Sequence, residues 1–238
     1  MKLVFTVAGV LLVACGGESA GVPDVLEPRA DGLVAHYTFD DIVDGVVAAE
    51  RGRRGTCTRC PATVAGKFDT ALAFDGAAEL VLVDGWPALD QMTQFTVTMW
   101  LRHPAVPAET GCVVNKLVVA DDVVDRWQLC DGDANRQVFS CFEGAAPVCV
   151  FVGGVSPMQD WTLATLWYDG VEGRVYIGAN RVTSSAVALP AMTEEEVLAI
   201  GSDLDHGAPH AFWTGEIDDL KIWNRALSES EIQAEAAL

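Results

Sequence analysis

Short runs of alternating apolar and polar residues recur along almost the whole chain, and they limit what it can fold into. In FTVTMWLR (95–102), for example, Val97, Met99 and Leu101 alternate with other side chains. A period of two places alternate side chains on opposite faces of a β-strand. Gly, Asp and Pro separate the runs, and helical periodicity is nearly absent. The pattern therefore predicts an all-β chain folded as a sandwich.

One clear helix start occurs near the C-terminus. Ser228 is followed three residues later by Glu231, the spacing of a capping box, in which each side chain bonds the other residue's backbone amide. We therefore predict a short C-terminal helix.

The N-terminal residues have the pattern of an export signal, so we expect them to lie outside the fold. After Lys2, residues 3–13 are apolar and uncharged, a run too short for a bilayer, which needs about 20 residues. LVAC (12–15) follows and resembles the cleavage site of bacterial lipoproteins, in which the cysteine becomes lipidated. Cys15 is therefore the predicted lipid-bearing residue.

This interpretation divides the chain into three parts. We expect a signal peptide at 1–14, the lipid-bearing cysteine with a flexible tether at 15–31, and one domain at 32–238. Residues 16–19, GGES, place no Asp beside the cysteine, which resembles the pattern for retention in the outer membrane. The expected location is therefore exported and lipid-anchored, at the outer membrane or the cell surface.

The charge balance excludes one class of partner. The chain has 15 Lys and Arg against 34 Asp and Glu, a net charge of −19. Such a surface repels nucleic acid and anionic lipid, and it favours divalent cations. We therefore expect no nucleic-acid partner, and contact with a membrane through the lipid anchor only.

The cysteines agree with export, because six remain besides the predicted lipid-bearing one. An even number in an oxidising compartment predicts disulfides, and the candidates are Cys57, Cys60, Cys112, Cys130, Cys141 and Cys149. A hairpin over 141–149 would place its two cysteines opposite each other, and residues 112 and 130 bracket a second predicted hairpin. The remaining CxxC at 57–60 lacks the βαβ setting of a redox motif and the second CxxC of a zinc ribbon. A loop disulfide is the better interpretation.

Six motifs, in this order and spacing, resemble the LamG-like jelly-roll family within the concanavalin A-like lectin/glucanase folds. They are LVAHYTFDD (33–41), GKFDTALAFDG (66–76), FTVTMWLR (95–102), WTLATLWYDGVEGRVYIGAN (161–180), LAIGSD (198–203) and FWTGEIDDLKIWNRALSESEI (212–232). The resemblance implies a two-sheet antiparallel jelly-roll sandwich and a binding or adhesion role, sometimes with calcium. The departures lie in the cysteine-rich middle, 105–150, and in the CxxC insertion.

The predicted last strand, EIDDLKIW (216–223), contains two adjacent carboxylates. Strict alternation places Asp218 on the face of Leu220 and Ile222, and Asp219 on the opposite face. If that first face is the core, Asp218 must accept hydrogen bonds or bind a cation, because an unpaired buried charge is costly.

The same strand partly matches a catalytic motif. Glucanases related to this family use an E-x-D-x-x-E strand, whose outer glutamates act as nucleophile and acid. Here Glu216 and Asp218 match the first two positions, but Lys221 occupies the third. Retaining hydrolysis needs both carboxyl groups, about 5–5.5 Å apart. We therefore predict that the protein is not an enzyme.

Calcium is the candidate cofactor, as a structural or ligand-linked ion. Jelly-roll modules place the first and last strands together, so Asp40 or Asp41 would face Asp218 across that edge and supply oxygen ligands. Asp131 and Asp133 form a second acidic set, on a loop where the family sometimes holds an ion. A plainer explanation is open for each set, because turn aspartates commonly bond the backbone.

Carbohydrate binding needs exposed aromatic side chains beside polar groups. Most of the seven tryptophans match strand positions of the family and are expected in the core. Trp86, in the loop sequence DGWPAL, is the first candidate for ligand binding, and Trp127, beside Arg126, is the second.

Together, these features predict a non-catalytic cell-surface module that binds a glycan or an extracellular or envelope protein. Two alternatives stay open. One is a structural or adhesive envelope protein that does not bind sugar. The other is a glycoside-active enzyme, which the missing carboxylate disfavours.

Overall fold

The computed structural model describes residues 24–103, 110–118, 124–131, 137–142, 148–153, 158–189, 196–205 and 207–238. These residues form strands and two short helices. In chain order the elements are β1 (Leu33–Tyr37), β2 (Ile42–Val43), β3 (Val46–Val47), β4 (Gly55–Thr56), β5 (Ala62–Ala65), β6 (Thr70–Asp75), β7 (Val81–Asp84), α1 (Pro87–Asp90), β8 (Phe95–Arg102), β9 (Gly111–Val118), β10 (Val124–Asp131), β11 (Gln137–Phe142), β12 (Val148–Gly153), β13 (Thr162–Tyr168), β14 (Glu172–Ile177), β15 (Asn180–Ala186), β16 (Val197–Ile200), β17 (Asp203–Asp205), β18 (Ala208–His210), β19 (Thr214–Trp223) and α2 (Glu229–Ala236).

Two antiparallel sheets form the predicted sandwich. The eight-stranded sheet has the order β15-β14-β13-β8-β19-β6-β5, and β1 also pairs with β19. The nine-stranded sheet has the order β12-β11-β10-β9-β16-β7-β4-β3-β2, and β17 and β18 form a separate hairpin. The first strand thus pairs with the last. The all-β jelly-roll fold predicted from the sequence is confirmed.

The core lies between the sheets and follows the alternation of the strands. On β8, Phe95, Val97, Met99 and Leu101 are all fully buried members of one apolar cluster. Burial of each such side chain contributes about 1.5–3 kcal/mol. The alternate residues of β8 therefore lie on the outer face of the eight-stranded sheet.

The C-terminal helix covers one end of that outer face. As predicted, Ser228 and Glu231 form a capping box at the start of α2. Ile232 packs with Trp167 and Trp223 in a second apolar cluster outside the main core. Trp167 also donates a hydrogen bond from Nε1 to the Leu227 carbonyl, at 2.8 Å.

Two of the predicted disulfides are present. Cys57 bonds Cys60 and Cys112 bonds Cys130. The backbones of β11 and β12 also place residue 141 directly opposite residue 149, as the predicted hairpin required, but their side chains lie outside the described residues.

Lys116, Asp90 and Glu196 form a buried ion triad. Lys116 Nζ lies 2.7 Å from Asp90 Oδ1 and 3.4 Å from Glu196 Oε2, and both Lys116 and Glu196 are fully buried. Desolvation lowers the pKa of Lys116, although both carboxylates oppose that effect. The triad fixes α1 against β9 and the residue that precedes β16.

Part of the predicted tether lies against the domain. Gly52 N donates to the Val25 carbonyl at 2.8 Å, and the Arg54 guanidinium lies 3.1 Å from Asp24. Residues 24–31 are thus attached by backbone and ionic contacts, so the prediction of a flexible tether as far as residue 31 is wrong for this part.

Candidate functional site

The two adjacent aspartates of β19 form a β-bulge. The register between β19 and β8 shifts between Asp218 and Lys221, and Asp219 has a left-handed φ of 47°. Aspartate tolerates this conformation better than most residues with a side chain. A bulge adds one residue to the strand and breaks its alternation.

The bulge changes which face carries Asp218. Ile217, Leu220 and Ile222 all lie in the core, whereas Asp218 is paired across the strands with Trp100. Trp100 stands between two core-facing residues of β8, so this pair lies on the outer face. The prediction that Asp218 shares the face of Leu220 and Ile222 is therefore wrong.

The bulge also marks the point where β19 changes partner. Its first half pairs with β6 and its second half pairs with β1. Asp218 Oδ2 accepts a hydrogen bond at 2.8 Å from the Phe68 amide, in the turn that leads into β6. Asp219 Oδ1 lies 2.6 Å from His36 Nε2 on β1. Each aspartate therefore ties one neighbouring strand to the last strand.

The two carboxylates differ in electrostatics. Asp218 is fully buried, and desolvation raises its pKa to about 6 despite the backbone hydrogen bonds that lower it. Burial also acts to raise the pKa of Asp219, but hydrogen bonds from His36 and Lys221 outweigh burial and hold it below the usual value. Asp219 is thus a well-paired anion, whereas ionised Asp218 is destabilised.

The described carboxylates do not assemble the predicted calcium site. Asp40 Oδ1 accepts a hydrogen bond at 3.0 Å from the Thr70 amide, at the other end of the turn that Asp218 holds. Asp41 is exposed. Within the described ranges, no group of three or more His, Cys, Asp or Glu residues could hold a metal ion. Asp40 and Asp218 here act as backbone acceptors.

The second predicted calcium set stays a prediction. The backbone of Asp131 belongs to β10 and not to a loop. The side chain of Asp131 and the whole of Asp133 lie outside the described residues.

The structure gives Glu216 and Asp218 roles that differ from a hydrolytic pair. Glu216 forms an ion pair with Arg102, and Asp218 is buried beneath the turn that contains Phe68. Lys221, at the position of the missing third carboxylate, contacts Asp219 at 2.9 Å. A hydrolase needs two carboxyl groups that reach the substrate, and this strand presents none that is both free and accessible.

Neither predicted ligand-binding tryptophan is accessible. Trp86 is 2% exposed and Trp127 is 0% exposed. Trp86 packs against Gly52, where an added Cβ would lie 2.9 Å from the ring, and Trp127 packs against Phe95 with ring centroids 5.3 Å apart. The prediction that these two rings bind a ligand at the surface is therefore wrong, because both belong to the core.

A different aromatic surface lies on the outer face of the eight-stranded sheet. We call it the aromatic patch, and it consists of Lys67, Phe68, Trp100, Arg102, Trp161 and Glu216. Its members come from the turn before β6, from β8, from the residue before β13 and from β19. The order of these strands in the sheet brings them together.

One half of the aromatic patch is formed by the turn before β6. Phe68 is 37% exposed and meets Trp100 edge to face, with ring centroids 6.2 Å apart. Lys67 Nζ lies 4.2 Å from the centre of the Trp100 ring. The Asp218 hydrogen bond to the Phe68 amide fixes this turn and therefore the position of the exposed ring.

The other half combines an aromatic ring with an ion pair. Arg102 lies 4.7 Å above the ring of Trp161 and donates from Nε to Glu216. All three side chains are partly exposed. The patch thus offers two aromatic rings accessible to solvent beside one anionic and two cationic groups.

A cavity of about 430 Å³ lies farther along the same outer face, between β1, β19 and α2. Leu33 and Trp223 are among the residues that line it. Its charged side chains already pair with one another: Lys221 with Glu235, Arg225 with Glu231, and His36 with Glu50. Trp223 is only 5% exposed, whereas Phe68 of the patch is 37% exposed, so the cavity is a weaker candidate for sugar binding than the patch.

The predicted leader, Cys15 and the first part of the tether lie outside the described residues. Neither helix in the described part of the chain is long and apolar enough to cross a membrane.

Comparison with known proteins agrees with this architecture. The family model Laminin_G_3, described as concanavalin A-like lectin/glucanases superfamily, matches residues 75–233. The chain belongs to the concanavalin A-like lectin/glucanase superfamily. A search of curated proteins finds no match to the chain.

Several solved structures share the fold at low sequence identity. The binding domain of Paraclostridial Mosquitocidal Protein 1 has a TM-score of 0.69 at 13% identity, over 87% of this chain and 52% of that one. Trypanosoma rangeli sialidase in complex with sialic acid has a TM-score of 0.69 at 16% identity, over 88% of this chain and 33% of that one. Domain 4 of AbnA, a GH43 extracellular arabinanase from Geobacillus stearothermophilus, was solved in complex with arabinotriose. It has a TM-score of 0.60 at 20% identity, over 86% of this chain and 98% of that one.

The chain thus spans about half of the toxin domain and a third of the sialidase. At these identities, the likeness shows the fold alone.

Proposed function

We propose that this protein is a non-catalytic binding module for glycans, and that the aromatic patch is its binding site. The observation that carries this proposal is the exposed ring of Phe68 and the partly exposed ring of Trp161, set beside Lys67, Arg102 and Glu216. Sugar rings present apolar C–H faces together with hydroxyl groups. A site with a few placed polar groups around aromatic rings matches both.

The chemistry of the patch suits recognition rather than turnover. Arg102 and Lys67 can donate hydrogen bonds to hydroxyl oxygens, and Glu216 can accept them. The rings are held by the sheet and by the Asp218 hydrogen bond, so little conformational freedom is lost on binding. The arabinotriose complex of the AbnA domain supports a sugar ligand for this fold.

The lack of a second accessible carboxylate on β19 supports a role without catalysis. Hydrolysis of glycosides requires an acid and a base or nucleophile on opposite sides of the scissile bond. Glu216 is engaged by Arg102, and Asp218 is buried.

We place the protein at the outer membrane or cell surface, anchored by a lipid at Cys15. The leader pattern, the even set of cysteines and the two disulfides present support export. We propose that any calcium binds with the ligand or at Asp131, the last residue of β10, and Asp133.

A glycan array tests this function. The full chain carrying Cys15→Ser, which removes the lipid acceptor, is applied with calcium and again with a chelator. We expect binding to at least one glycan class, and calcium-dependent binding would place an ion at the ligand. A blank array under both conditions, with capture of an envelope protein instead, would support the adhesive alternative. Glycan cleavage that Glu216→Gln abolishes would show an enzyme.

A further inference from the structure

One short segment of this acidic chain is strongly basic. Arg51, Arg53, Arg54 and Arg59 supply four of the 15 Lys and Arg residues of a chain with a net charge of −19. We call residues 51–59 the arginine loop. The loop itself contains no acidic residue, and the nearest in sequence are Glu50 and Asp69. Asp24, from the N-terminal segment, pairs with Arg54.

The arginine loop is held in place and does not behave as a loose tail. Cys57 bonds Cys60, and the Cys57 amide donates to the Gly45 carbonyl at 2.8 Å. Tyr37, buried in the core, donates from its hydroxyl to the Arg53 carbonyl at 2.7 Å. These contacts fix the backbone of the arginine loop on the domain.

Only one of the four arginines, Arg54, forms an ion pair within the described part of the chain. Arg51 donates to the Glu27 carbonyl. Arg53 and Arg59 form no ion pair with a described residue, and the charge of Arg59, which is exposed, also acts on Asp75. Glu50, which adjoins the loop, instead contacts His36, with 2.8 Å between Glu50 Oε2 and His36 Nδ1.

The same loop receives the N-terminal segment. Gly52 bonds Val25, and Arg54 pairs with Asp24, so the chain enters the domain beside the arginine loop. Eight residues lie between Cys15 and Asp24, and the nine steps from Cα to Cα reach about 30 Å at full extension. A lipid on Cys15 therefore keeps this side of the domain nearer to the bilayer than the far ends of the sheets.

We propose that the arginine loop faces the membrane and binds the phosphates of anionic lipid headgroups. This proposal rests on the proposed lipid anchor at Cys15, and it adds a second membrane contact that the net charge of the whole chain did not predict. A lipid chain and a basic surface together give firmer attachment than either alone. Each basic side chain near an anionic bilayer contributes a factor of about five, so Arg53 and Arg59 together favour the docked orientation by about 25-fold. The acidic remainder of the surface is repelled and turns outward.

Arginine accessibility on vesicles tests this orientation. The lipidated full chain is inserted into vesicles of phosphatidylcholine alone, or of phosphatidylcholine with phosphatidylglycerol, and treated with phenylglyoxal. Mass spectrometry then gives the modification rate of each arginine. Arg181, exposed on β15 at the far edge of the eight-stranded sheet, is the internal control.

We expect Arg53 and Arg59 to react at least fivefold more slowly on anionic than on neutral vesicles, with Arg181 unchanged. Salt at about 0.5 M should remove the difference, because the screening length falls to a few ångströms. Equal rates on both vesicles, in protein whose mass shows the lipid, would overturn the orientation. Absence of a lipid on Cys15 would overturn both the orientation and the proposed anchor. It would not affect the proposal of glycan binding, which the array tests separately. Protection by soluble acidic sugar, but not by anionic vesicles, would also overturn it and assign the loop to a glycan.

Discussion

Replacing Asp218 with asparagine should change how stability depends on pH. Asp218 is fully buried, and its Oδ1 has no hydrogen-bond partner in the described structure. Asparagine can keep the acceptor for the Phe68 amide and cannot ionise. The variant therefore removes the titration of this group while retaining the contact that fixes the turn.

The raised pKa of Asp218 determines whether stability rises or falls with pH. The folded-state pKa of Asp218 is about 6, against an ordinary value of 3.8. The folded protein thus binds this proton more tightly than the unfolded chain. The resulting stability is complete below 3.8 and is lost as pH rises through about 6. A shift of this size corresponds to at most about 3 kcal/mol, and because charges inside proteins are partly screened, we expect about 1–2 kcal/mol.

Urea denaturation at pH 4 and pH 7, in the presence of chelator, measures the effect. Between these two values the wild type should lose about 1–2 kcal/mol of unfolding free energy relative to Asp218→Asn. Asp40→Asn is the matched control, because this exposed carboxylate bonds the same turn, and it should leave the difference unchanged. The comparison of pH values cancels any constant cost of the buried amide.

The reverse result would refute this reasoning. If the wild type gains stability relative to Asp218→Asn as pH rises, the ionised carboxylate has a favourable partner. Stabilisation of the wild type by calcium, absent in the variant, would identify that partner as a cation.

Three further predictions concern stability. Lys116→Met leaves two buried carboxylates without their cation and should lower the unfolding free energy by about 3–5 kcal/mol in urea; a loss below 1 kcal/mol would show that they become protonated or hydrated instead. Cys112→Ser with Cys130→Ser should cost about 2–4 kcal/mol under oxidising conditions and nothing relative to wild type in reductant. Ser228→Ala removes the cap of α2 and should cost about 1 kcal/mol in the same assay, whereas no change would mean that tertiary packing alone holds the helix.

The sequence predicted the fold well because alternation is a strong local signal. The residues of β8 alternate without interruption, and Val97, Met99 and Leu101 all lie in the core. The capping box of Ser228 and Glu231 is likewise local, and it forms as its spacing indicates. Both features depend on residues close together in the chain.

The candidate site was harder to predict because it depends on contacts distant in sequence. A bulge at Asp218–Asp219 reverses the alternation, and nothing in EIDDLKIW distinguishes that from a regular strand. Trp86 stands in a loop, yet Gly52 leaves room for its ring to pack inside. Phe68 belongs to a turn and Trp161 precedes a strand, and both positions favour an exposed side chain. Their proximity, however, follows only from the order of strands in the sheet.

The central claim is that the aromatic patch binds glycan, and calorimetric titration of the glycan found on the array tests it most directly. Phe68→Ala and Trp161→Ala are compared with Val171→Ala, a 70% exposed apolar residue outside the patch. Loss of an aromatic anchor at a binding site commonly exceeds 1 kcal/mol, so each patch variant should bind about tenfold more weakly while the control binds as wild type. Unchanged affinity in both patch variants, with their folds intact, would contradict the account.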